Sequence, residues 1–202
     1  MEGGPGDAPA PAVPVHRRTI ELEVFEHPET FEVVARLRDE RPWADGVDHV
    51  RHLHDMTLHV DVRRVDLTIV ASRAEMRTFP HAECPGIEEK FGELVGLNVA
   101  RGYTRAVQER FGRQLGCTHL EFLARAVGPV VVQATTSAMA RASDGAGRRE
   151  GSGGGALSWL ENTCHVWAKD GPGQQKIEAG WSPGRGEYPA PSAVEVRRRA
   201  GR

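Results

Sequence analysis

In Gly116-Cys117-Thr118-His119 a thiol stands two residues from an imidazole, at the entrance to a stretch that reads as a helix. Zinc takes thiolate and imidazole in a tetrahedral shell, and its ligands gather at helix starts, loops and strand ends where short side chains converge. The unpaired N–H groups of a helix start also favour the thiolate that a metal needs. The chain has three cysteines, Cys84, Cys117 and Cys164. Cys84 opens a second helical stretch in Cys84-Pro85-Gly86, and His54 lies at the edge of a strand's apolar face. His54, Cys84, Cys117 and His119 are therefore the expected Cys2His2 metal shell, with Asp55, Cys164 and His165 as further ligands in reserve. Zinc is expected ahead of iron, because mixed Cys/His ligation suits it and nothing in the sequence demands redox chemistry. Two other classes stay open. Cys117 could be a catalytic nucleophile with His119 or His54 as its base, although no cysteine-protease signature surrounds it. The cysteines could also be structural, in a non-enzymatic module that binds a protein or small-molecule partner.

Strands and helices must bring these residues together. In "HRRTIELEVFEH", Ile20, Leu22 and Val24 alternate with Thr19, Glu21 and Glu23, the period of a strand with one wet face. "TFEVVARLRD" repeats the pattern with Phe31, Val33, Ala35 and Leu37, and the turn residues 27–30 between them make a hairpin. A polar link over 39–50 leads to "HLHDMTLHVDV", where His54, Met56, Leu58, Val60 and Val62 share a face and Asp55 lies on the other. "VDLTIVASRAEM" is a fourth strand after the Arg63-Arg64 turn. Beyond Pro80 the period changes to that of a helix, with Ile87, Phe91, Leu94 and Val95 on one face. Further helices are expected over 104–111 and from Thr118, where Thr118 and Glu121 have the spacing of a capping box. Gly128-Pro129 is expected to interrupt the last of these before it resumes. The fold class is α+β: an antiparallel meander of about four strands, then helices packed on one face.

Residues 1–15, 143–156 and 183–202 are rich in Pro, Gly or Arg and poor in apolar residues, and are expected to be a disordered tail, a flexible loop and a second tail. A single domain over 16–182 remains. The formal net charge of −2 is spread along the chain, so no basic face for nucleic acid is expected. No apolar run approaches the roughly 20 residues that span a bilayer, and no secretory leader is evident. The protein is expected in the cytoplasm, where cysteines are free thiols or metal ligands.

The ordered set "HRRTIELEVFEH", "HDMTLHVDV", "ECPG", "ELVGL", "RGYTRAVQERFG", "GCTHLEFL" and "NTCHVWAKDG" resembles a bacterial domain-of-unknown-function family, DUF2889, over residues 16–181. That resemblance implies a small cytoplasmic protein and supplies no reaction. The plan of the chain is also similar to iron–sulfur scaffold proteins of the NifU type: strands carrying His54-Asp55, then Cys84 and Cys117 at successive helix starts. Those proteins hold zinc or a nascent cluster through cysteines and one aspartate. The similarity implies a NifU-like arrangement and adds iron or an iron–sulfur cluster to the cofactors to be considered, with His54 standing where that family has a cysteine.

Overall fold

The alternation in 17–40 folds as a hairpin, β1 (Arg17–Glu26) and β2 (Thr30–Glu40), joined through the His27–Thr30 turn. The computed structural model describes residues 12, 14–44, 46–146, 161–181 and 189–201. β3 (His52–Arg63) and β4 (Ile69–Thr78) complete a four-stranded antiparallel sheet in the order β1-β2-β3-β4. One face of it is the core: Val33, Ala35, Leu37, Leu58 and Val62 are fully buried. β1 and β4 are the edge strands; on β1 Leu22 and Val24 are only half covered and Ile20 is exposed.

β2 runs further than the sequence pattern suggests. The expected link at 39–50 begins after Glu40, and a short helix α1 (Asp48–Arg51) fills part of it. Asp39 is thereby a strand residue paired with His54, and Glu40 pairs with His52, so that Leu53 is left over as a bulge.

After β4 the expected helix over 87–96 is two 3₁₀ segments, Cys84–Ile87 and Glu89–Leu94. Gly86, Gly92 and Gly96 weaken an α-helix there. The segment is instead tied to β4 where Met76 N–H donates to the Glu88 carboxylate at 2.6 Å. Phe91 and Leu94 are still fully buried, and Phe91 stacks on Phe111 at 4.7 Å between ring centroids.

α2 (Tyr103–Phe111) and α3 (Thr118–Ala146) follow, with a 3₁₀ turn at Arg113–Leu115 between them. α3 is continuous through Gly128-Pro129, contrary to the expected break. Leu120, Leu123, Ala124, Val127 and Val131 are fully buried on both sides of the proline. Leu120, Leu123, Val127 and Val131 each contribute about 2 kcal/mol on burial, and together they outweigh the roughly 3 kcal/mol penalty of an interior proline. Gly128 lets α2 approach: a Cβ there would lie 3.0 Å from the Tyr103 ring. The start of α3 also differs in detail. The Cys117 carbonyl accepts from Glu121 N–H at 2.8 Å, so Cys117 takes the cap position and Thr118 is the first helical residue.

The chain falls into two compact units, Met1–Thr135 and Thr136–Arg202. The second contains α4 (Pro172–Glu178) and α5 (Ala193–Arg199). α5 lies in the stretch expected to be a disordered tail. Ser192 and Glu195 form a full capping box, Val196 is buried, and Arg197 donates to Gln175 of α4 at 3.0 Å. The expected disorder of residues 1–11, 13, 147–156, 183–188 and 202 lies outside the described residues. Residues 143–146, placed in the flexible loop, are the last turn of α3. Among the described residues no helix is long and apolar enough to cross a membrane.

Candidate metal centre

The apolar stripes of three strands end in polar residues at the same end of the sheet. On β2 the buried series Phe31, Val33, Ala35, Leu37 continues by two residues to Asp39. On β1 the series Val24, Leu22, Ile20 continues to Arg18, directly opposite Asp39. On β3 the series Val60, Leu58, Met56 continues to His54, also opposite Asp39. The stripe of α3 behaves alike: Val127 and Leu123 are followed, one turn earlier, by His119.

Asp39 is 1 % exposed and is the hub. Arg18 donates to it twice, from Nε to Oδ1 and from Nη2 to Oδ2, both at 2.7 Å. His16 Nε2 stands 3.1 Å from Oδ1. His54 Nδ1 is 2.9 Å and His119 Nε2 is 3.5 Å from Oδ2. The two imidazoles lie against each other, ring centroids 3.9 Å apart and planes at 36°. An ionised carboxylate has about four acceptor sites. Arg18 and His16 together occupy those of Oδ1, and Arg18 takes one on Oδ2. One site on Oδ2 remains, and two imidazole nitrogens face it, with His54 Nδ1 within hydrogen-bond distance.

Burial pushes the Asp39 carboxyl up, but the hydrogen bond and charge of Arg18, then His54 and His16, outweigh it and bring it down to about 2. Burial depresses the His119 imidazole below its ordinary 6.5, and His54 and Arg18 push the same way, against Asp39. At neutral pH the site therefore holds a carboxylate and a neutral imidazole on His119, the form in which histidine binds metals.

Among the described residues, Asp39, His54 and His119 are the group whose ligand atoms all lie within 4.8 Å of one another. Of the four residues expected to form a shell, the structure brings together His54 and His119. Cys117 is half-buried and touches the other side of the His119 ring, its Sγ 3.8 Å from Nδ1. Cys84, also half-buried, is on the 3₁₀ segment tied to β4 and is not in the group. Asp55 pairs with Arg38 and Thr78, and strand alternation turns it from the cluster. Cys164 is exposed and, with His165, belongs to the second unit. Asp39, Arg18 and His16 were not among the expected residues. Extending the alternation of β1 and β2 by one further step would have found the first two.

Residues 16–133, more than half of the chain, match the family described as a protein of unknown function, DUF2889. The chain belongs to this family. No curated protein and no solved structure matches it, so no comparison carries the NifU-type likeness. The DUF2889 match begins at His16 and takes in the whole cluster, with Cys84 and Cys117; Cys164 and His165 fall outside it.

Cys117, His119 and Asp39 in this DUF2889 chain also follow the order of a nucleophile, a base and its orienting acid. That reading needs the remaining site on Oδ2 to serve His119. His54 stands closer to it, at 2.9 Å against 3.5 Å.

Proposed function

We propose that the protein binds one divalent transition metal through Asp39 Oδ2, His54 and His119. The observation that carries this is the single lone pair of a buried carboxylate faced by two imidazole nitrogens at 2.9 and 3.5 Å. Two ligands of a tetrahedral zinc at ordinary bond lengths of about 2.0–2.1 Å are roughly 3.3 Å apart, a spacing these distances bracket. Arg18 and His16 orient the carboxylate, as the hydrogen-bonded surroundings of metal ligands do elsewhere. Two imidazoles and a carboxylate suit zinc, and next iron(II), better than magnesium or calcium. Three protein ligands leave a coordination position for water or an exogenous ligand.

The test is elemental analysis of protein purified without an affinity tag, followed by zinc titration against a chromophoric chelator. Wild type should carry or take up about one equivalent, and the H54A/H119A double variant should take none. A folded wild type that neither carries nor binds zinc or iron(II) would refute the reading.

A further inference from the structure

We infer that Cys117 is a positioning residue of this metal site rather than one of its ligands. The inference rests on the metal reading and deepens it. For His119 to offer a lone pair from Nε2, the nitrogen that faces Asp39 Oδ2 at 3.5 Å, its ring proton must sit on Nδ1. The atom beside Nδ1 is the Cys117 sulfur, at 3.8 Å. Cys117 therefore accepts the Nδ1–H bond, fixing both the tautomer and the angle of the ring. Metal-bound histidines commonly use carboxylates or carbonyls for this purpose. Asp39 cannot serve His119 so, because it stands at the opposite nitrogen.

The backbone holds the thiol in this role. The Cys117 carbonyl accepts the first helical hydrogen bond of α3, at 2.8 Å from Glu121 N. The preceding Gly116 is fitted against the end of α2, where a Cβ would lie 2.5 Å from the Phe111 carbonyl oxygen. Only a turn of the imidazole would let the sulfur and His119 ligate one metal together with Asp39.

The experiment measures zinc affinity by chelator competition in wild type, C117A and C117S, with a urea midpoint for each metal-free protein. C117A should bind about 10–100-fold more weakly, the usual effect of losing an outer-shell partner. C117S, whose hydroxyl also accepts from Nδ1–H, should recover most of that loss, which a merely packing role would not predict. Cobalt(II)-loaded wild type should lack a sulfur-to-metal charge-transfer band. Equal affinity in wild type and C117A, or a clear sulfur–cobalt band, would overturn the inference while leaving the metal site standing. A wild type that binds no zinc overturns the metal reading itself, and this inference with it.

Discussion

Replacing Asp39 by Asn tests the polar hub with little change of shape. The carboxylate is 1 % exposed and receives two hydrogen bonds from Arg18 at 2.7 Å, one contact from His54 at 2.9 Å and one from His16 at 3.1 Å. Asparagine keeps one acceptor oxygen but turns an NH2 group toward donors. Hydrogen bonds to charged groups are worth about 1.5–3 kcal/mol each. Arg18 has 38 % of its side chain exposed and can turn to water, so its share lies at the low end. The expected net loss is about 3 kcal/mol, or roughly 6–12 °C in Tm for a chain of this size. Urea denaturation followed by circular dichroism should show a lower midpoint with an unchanged slope. The pH dependence has a definite sign. Because folding lowers the carboxyl from 3.8 to about 2, its contribution is fully present above pH 3.8 and is lost as pH falls toward 2. The variant should lack this acid limb. In a double-mutant cycle with R18Q, the coupling should be about 1–2 kcal/mol. A loss below about 0.5 kcal/mol, the size of an ordinary surface change, would refute the claim that Asp39 organises the site.

Two further outcomes follow from the same geometry. His119 is depressed below 6.5 in the folded chain, so the unfolded chain takes up its proton first and stability should fall as pH drops through and below 6.5; H119Q should flatten that slope in pH-dependent thermal melts, and an unchanged slope would contradict the assignment. Gly116→Ala should destabilise by about 1–3 kcal/mol, because its Cβ would lie 2.5 Å from the Phe111 carbonyl oxygen and backbone must shift to admit it. Calorimetry reads the loss, and a wild-type melting temperature would show that the α2–α3 approach is not tight.

Local periodicity makes much of the molecule legible. Alternation at Ile20–Val24, Phe31–Leu37 and Met56–Val62 gives β1, β2 and β3 with their core faces, because a pleated strand turns successive side chains to opposite sides. It also places His54 at the rim of the core face, and the pattern after Gly116 places Cys117 and His119 at a helix start. Where local preference and packing disagree, packing decides. Glycines loosen 84–96 into 3₁₀ turns, burial carries α3 through Pro129, and a capping box with a buried Val196 makes a helix of a stretch whose composition reads as a tail. The site itself depends on register. That Asp39 faces His54 and Arg18 follows from strand pairings between residues 15 and 21 positions apart, in a register unbroken from Thr30–Arg63 to Asp39–His54; the bulge at Leu53 comes after it and sets only the pairing of Glu40 with His52. Cys117 and His119 are two residues apart in sequence, but which ring nitrogen meets sulfur and which meets oxygen is set by where the start of α3 meets Asp39 of β2 and His54 of β3. The sequence alone therefore determined that a thiol and imidazoles lie near the end of a half-buried sheet. The tertiary structure decided that a buried aspartate stands at their centre, because the energy of burying a charge depends on partners brought from both neighbouring strands and a helix at once.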